Sequence, residues 1–489
     1  MSICRFHQYW RRVGLFFAVW LVTTWSAIAA PGPVSEAAAS TNVIPPRPRN
    51  PVIVLIVADD LGWGDLSCYG QTKIKTTNLD ALAASGMRFT SFYAGSSLST
   101  PSRTTLLTGM DTGHSPNRGV NNFPVPGTEV ILPQVLKTAG YVTTAVGKWG
   151  LGSVTPPGHR GFDDWAGFLT DADAQAYYPA FIGRTRDGQD KELPGAEVAQ
   201  NQNGNQGFYA NDLFTQAVMN ALKASKPQYF DSYRGLMVYF APTLPYAGLE
   251  DARPTSAGGV VPNGGLYSDK VTWLPAEKKR AAMITMLDSY VGQITNRLQE
   301  LKYDRNTMVI FTSATGPQHD EIDPAFFHST GPFRGFKHDL YEGGIRVPLI
   351  ISWPFRVSPG STSDLPCAAW DLLPTLAEAA HTSAPKNIDG ISFLPTLIGA
   401  PQTNKHEFLY WELHDHGFKQ AMRLGDWKAV RSGSDGSFEL YNLKNDPGEK
   451  TDVADKNPDV IAKIAGLLKD ARTDDRNWPI ESASAADHK

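Results

Sequence analysis

An unbroken apolar run, Val52-Ile53-Val54-Leu55-Ile56-Val57, is closed abruptly by Asp59-Asp60. A strand apolar at every position, rather than at alternate ones, is predicted to lie centrally in a parallel sheet with helices covering both faces. The same pattern returns at Met308-Val309-Ile310-Phe311, followed by Thr312-Ser313, and again over 347–351. In sheets of this kind the groups that do chemistry gather just beyond the carboxyl ends of the strands. Helical periodicity lies between the runs. Residues 132–139 form one helix, stopped by Gly140, and residues 275–301 a long amphipathic one with Ile284, Leu287, Val291, Ile294 and Leu298 on a single stripe. The alternation predicts an α/β fold, a large α/β/α sandwich. Gly and Pro cluster at 356–362 and around 384–404. Beyond them, short strands at 408–411, 427–430 and 438–441 and a helix at 457–471 predict a small C-terminal α+β subdomain.

The start of the chain reads differently. Arg11-Arg12 precede an apolar stretch from Val13 to Val22 that is too short to span a bilayer, and Ala27-Ile28-Ala29 offers small residues for cleavage. Residues 1–29 are therefore expected to be a signal peptide. The mature chain is expected to be periplasmic or extracellular, with no stable membrane span after cleavage. Residues 30–50, rich in Ala, Ser and Pro, are expected to be an extended linker. The expected division after them is a main domain over 51–400 and the C-terminal subdomain over 401–489.

Composition narrows the function. An apolar fraction of 42% rules out a disordered or fibrous chain. A net charge of −4 argues against nucleic acid as partner, because phosphate recognition needs clustered Lys and Arg. Of three Cys, Cys4 falls in the signal. Cys68 and Cys367 are too few for a disulfide framework and are read as two independent buried thiols rather than a pair.

Several segments carry a more specific signal. They are Gly331-Pro332-Phe333-Arg334-Gly335-Phe336-Lys337 with Tyr341-Glu342-Gly343-Gly344-Ile345-Arg346-Val347-Pro348, then Ala58-Asp59-Asp60-Leu61-Gly62, Pro101-Ser102-Arg103 with Leu107-Thr108-Gly109, Gly147-Lys148-Trp149, and Asp446-Pro447-Gly448-Glu449. Taken together along the chain, these segments resemble the sulfatases of the alkaline-phosphatase superfamily. The resemblance implies a site in which a Cys or Ser, oxidised to formylglycine, attacks sulfur. Ca²⁺ held by oxygen ligands polarises the sulfate, Lys and Arg stabilise its charge, and one His protonates the leaving alcohol while another helps to release the sulfate.

Carried over residue by residue, the resemblance makes Asp59 and Asp60 the first two metal ligands. It puts Ser99 at the formylglycine position, Arg103 beside it, and Lys148 and Lys337 on the sulfate. Four positions depart from it. Gly150 stands where the family has one His, Thr243 where it has the His that acts as general acid, and Ala314 and Thr315 where it has the Asp and Asn that complete the metal site. His319, Asp320 and Glu321 follow too loosely to serve as replacements. Asp173 and Gln175 stand where relatives often carry His, and His114 reads as a structural residue. The implied Ca²⁺ is then weakly held or absent, and formylglycine at Ser99 would require a maturation enzyme. The reading is an exported sulfatase homologue, inactive or very weak as a sulfuric ester hydrolase, that binds a sulfated glycan, an aryl sulfate or another anionic ligand through Arg103, Lys148 and Lys337. An active serine-type arylsulfatase, and a phosphate or phosphonate ester hydrolase on the same scaffold, stay open beside it.

Overall fold

A computed structural model describes residues 50–480 apart from 121–122, 153–155, 191–194, 226–234, 247–260, 263–265 and 320–322. Residues 1–49, where a signal peptide and most of a linker are expected, and Asp320 and Glu321, lie outside the described residues. Everything described belongs to one compact unit, Pro48–Lys489.

Its centre is an eleven-stranded mixed sheet. Val52–Ala58 lies between Leu236–Ala241 and Thr307–Ser313, parallel to both, and Val142–Lys148 extends the parallel block beyond Leu236–Ala241. The alternation of the strand explains its unbroken apolar run. Ile53, Leu55 and Val57 enter a core shared with Leu106 and Leu107, Leu132 and Leu136, and Leu372 and Leu376. Val54, Ile56 and Ala58 enter a second core with Leu79 and Leu82, Phe214 and Val218, and Ile284, Leu287, Val291, Ile294 and Leu298. Helices therefore cover both faces, as an α/β/α sandwich requires. The 347–351 run departs from the parallel expectation. Its strand, Leu349–Ser352, pairs antiparallel with Thr307–Ser313. An apolar run reports burial on both faces and carries no information on direction.

After residue 400 a four-stranded antiparallel sheet forms from Leu409–His414, Phe418–Leu424, Trp427–Ser432 and Glu439–Asn442. One face, with Tyr410, Met422, Ala429 and Leu440, is covered by Ile464 and Leu468 of the Pro458–Leu467 helix and its exit. The other face, with Trp411, Leu413, Ala421 and Val430, packs on Tyr93, Leu98, Ile345 and Trp370 of the main body. The sequence reading passed over the second of these strands, whose Lys, Gln and Arg mask its apolar alternation. Cys68 and Cys367 are free, and burial pushes the Cys68 thiol up to about 12.

Candidate active site

Parallel pairing brings four strand ends to one place. Ala58 is level with Ser313 and Gly147 with Ala241, so Asp59-Asp60, Lys148, Thr243 and Ala314-Thr315 all leave the sheet on the same side. The Ser99–Thr108 helix adds Ser99 and Arg103. Asp60 adopts a left-handed backbone (φ 64°), which turns the chain sharply at the strand end. Arg280 of the long Pro275–Glu300 helix pins that turn, donating to the Asp60 carbonyl at 3.2 Å and to Asp65 at 2.7 Å.

Every oxygen of the two carboxylates already has a donor. Asp59 Oδ1 accepts the Ser99 hydroxyl and faces Arg103 Nη2 at 3.2 Å, while Asp59 Oδ2 takes Lys148 Nζ at 3.1 Å. Asp60 Oδ1 accepts Thr315 Oγ1 at 2.8 Å, and Oδ2 takes Lys337 Nζ at 2.7 Å. Lys148 also reaches Asp171 at 2.9 Å. Three carboxylates thus face three cations, in a pocket where Arg103 is 0% and Lys337 12% exposed. Burial alone would raise the Asp59 carboxyl, but Lys148, Arg103 and Lys337 together hold it far below the usual carboxylate range. Such a carboxylate is a poor base for the Ser99 proton.

The donor set does not fit Ca²⁺. The cation needs about six to eight oxygens at ion-contact distance, whereas these four carry two ammonium groups, a guanidinium and two hydroxyls, and Ala314 offers only a methyl. Thr315, expected only as a lost ligand, instead donates to Asp60.

The two missing imidazoles leave different traces. Thr243 is buried and bound to Asn211, whose Nδ2 donates to Thr243 Oγ1 at 3.0 Å and whose Oδ1 accepts the Thr243 amide at 3.0 Å. Gly150 has a left-handed backbone (φ 74°), and a Cβ there would lie 2.5 Å from Arg103 Cδ. The arginine has taken the space beside residue 150. Sequence reasoning missed Tyr239, whose hydroxyl accepts from Arg103 Nη1 at 3.2 Å, and Asp171 as a counter-ion of Lys148. Asp173 and Gln175 form a short turn, with Asp173 accepting the Thr170 amide at 3.0 Å. His319 packs against Phe336 with ring centres 4.9 Å apart and the rings tilted. His114 lies beyond the far end of the Ser99–Thr108 helix, 3.0 Å from Asp389 and 3.6 Å from Asp111. These three have ligand atoms within 4.8 Å of one another. The two carboxylates, Asp111 and Asp389, push the imidazole up to about 10, so the ring is their shared counter-ion.

A sandwich of this topology, with a carboxylate pair, a helix-start serine and basic residues over the ends of its central strands, is a hydrolase scaffold of the alkaline-phosphatase superfamily. The sulfatase family profile matches residues 51–382, and that of the N-sulphoglucosamine sulphohydrolase C-terminal region matches 333–474. The chain belongs to the sulfatase family. It is 29% identical to an N-acetylgalactosamine-6-O-sulfatase of Bacteroides thetaiotaomicron, over 87% of this chain and 94% of that protein. It is 30% identical to arylsulfatase A of Homo sapiens, over 86% of this chain and 87% of that one. Among solved structures, Ps i-CgsB in complex with k-i-k-neocarrahexaose superposes with a TM-score of 0.73 at 25% identity, covering 89% of this chain and 96% of that one.

Proposed function

We propose that this sulfatase-family chain is exported, is inactive or very weak as a sulfuric ester hydrolase, and binds a sulfated or other anionic saccharide. The observation that carries the loss of hydrolysis is the closure of Asp59 and Asp60 by Lys148, Arg103, Lys337, Ser99 and Thr315, which puts a competing donor on every oxygen that would face a metal ion. With no imidazole at 150 or 243, the leaving alcohol lacks its proton donor and sulfate release lacks the second His. Loss of one positioned acid alone costs on the order of 10²–10⁴ in rate. The saccharide ligand is supported by relatives whose names carry an O-sulfated amino sugar and by a neighbour solved with k-i-k-neocarrahexaose. Export rests on residues 1–29.

Purified chain, co-expressed with a serine-type maturation enzyme, is expected to show no turnover of an aryl sulfate and no calorimetric heat with calcium. Sulfate release by the purified chain at a rate beyond contamination overturns the reading. A fourfold restoration (Ala314→Asp, Thr315→Asn, Gly150→His, Thr243→His) is the matched comparison, and it needs Arg103 to retract from residue 150. One observation favours the serine-type arylsulfatase as a second reading: Ser99 begins its helix with its hydroxyl on Asp59. Intact mass of the peptide around Ser99 tests it, since formylglycine is lighter than serine by one hydrogen molecule.

A further inference from the structure

With the three pocket cations each committed to a carboxylate, an anionic saccharide must find its counter-charges elsewhere. We propose that they lie on the rim formed by His338, His416 and Lys419, where the tip of the first C-terminal hairpin meets the loop that carries Lys337; this rests on the saccharide reading above.

The loop divides its side chains between inside and outside. Lys337 turns inward to Asp60. His338, next in the chain and in a left-handed conformation (φ 76°), donates its amide to the Ser97 carbonyl at 3.2 Å, two residues before Ser99. Its imidazole turns to the hairpin, where Nδ1 lies 2.5 Å from Asp415 Oδ2. Asp415 is 2% exposed and the His338 side chain 46%, so a buried anchor holds a half-exposed ring. With Nδ1 on the carboxylate, Nε2 is the ring nitrogen left facing outward.

Its neighbours are nitrogen-bearing side chains too. His416 stands at the hairpin tip (φ 48°), 94% exposed, with Nε2 3.6 Å from the other Asp415 oxygen. Lys419 places its ammonium 3.2 Å from the His338 carbonyl. His319, exposed, packs its ring at a tilt against Phe336 of the same loop. Among the described residues the carboxylates here are engaged: Asp415 between the two imidazoles, and Asp339 accepting the Phe336 amide at 3.1 Å. Such a rim suits a second sulfate or carboxylate along a saccharide chain whose first residues cover the closed pocket. Holding the ring in place before binding lowers the ordering cost that a free surface histidine would carry.

The test is calorimetric titration of the full chain with a hexasaccharide bearing N-acetylgalactosamine-6-O-sulfate, beside its desulfated counterpart. The sulfated form is expected to bind with salt-dependent affinity and the desulfated form not to. His338→Gln, His416→Ala and Lys419→Gln are each expected to weaken binding by several-fold, and the triple variant by about tenfold or more, ~1.4 kcal/mol per factor of ten. His416→Ala removes a side chain almost wholly in water, so its effect cannot be ascribed to misfolding. Lys463→Ala, an exposed lysine paired with Glu407, is expected to change nothing. Tight binding of the sulfated sugar that the rim substitutions leave within twofold overturns the rim assignment alone. No binding by the parent chain overturns both the rim and the saccharide reading.

Discussion

Lys337 and Asp60 hold each other at 2.7 Å where little water reaches either. Lys337→Met should therefore leave a buried carboxylate with only the Thr315 hydroxyl, costing on the order of 3 kcal/mol. Adding Asp60→Asn should return most of that loss, because no charge is then stranded. Urea unfolding of the two single variants and the double variant measures the coupling, and simple additivity would mean the pair does not interact. At this scale much of the site was legible. The Asp59-Asp60 pair, Ser99, Arg103, Lys148 and Lys337 do converge, since strand ends and short motifs are local signals. How they satisfy one another was not. Thr315 was read by what it lacks, whereas its hydroxyl still serves Asp60. The contact between Gly150 and Arg103 joins two positions 47 residues apart through side-chain packing that no spacing encodes.

Elements were legible in proportion to the strength of their periodicity. The 26-residue Pro275–Glu300 helix and the Val52–Ala58 strand stand close to their expected bounds, with the whole predicted stripe buried. The antiparallel direction of Leu349–Ser352 and the hidden Phe418–Leu424 strand depend on pairing rather than on local sequence. The long helix also holds another element in place. Asp288 accepts the Leu79 amide at 2.8 Å and the Asn78 amide at 3.2 Å, capping the Thr77–Ala84 helix from 200 residues away. Asp288→Ala removes this cap and should lower stability by about 1–2 kcal/mol, whereas Asp288→Asn should recover part of it. Thermal unfolding of the two variants is the check, and equal midpoints for Asp288→Ala and parent would refute the cap.

At the scale of the whole molecule, the C-terminal sheet is joined to the main body by a buried ionic trio. Lys428 lies 3.0 Å from both Glu342 and Glu449, and all three side chains are 0% exposed. One ammonium cannot neutralise two carboxylates. Burial, with the Glu342 charge adding to it, pushes Glu449 up to about 7. Glu342 is held down to about 2 against the same burial by Lys428, Arg346 and Arg423. The signs follow from linkage. A raised carboxyl contributes stability that is complete below its unfolded value near 4.5 and lost as pH rises through 7. The lowered one contributes above 4.5 and loses its share as pH falls towards 2. Glu449→Gln copies the protonated state, so its stability relative to the parent should rise by on the order of 2 kcal/mol between pH 4.5 and 8. Denaturant unfolding of both proteins at the two pH values measures this, and a constant difference would show that Glu449 does not titrate across the window.

The central sheet also dictates a schedule. Among the described residues the earliest strand in the chain, Val52–Ala58, is enclosed by neighbours that begin only at residues 236 and 307. Its six consecutive apolar side chains must wait for about 180 further residues before the first flank exists, and such a run left open invites association with other chains. Slowing translation between residues 60 and 230 should therefore lower the soluble yield more than an equal delay after residue 320.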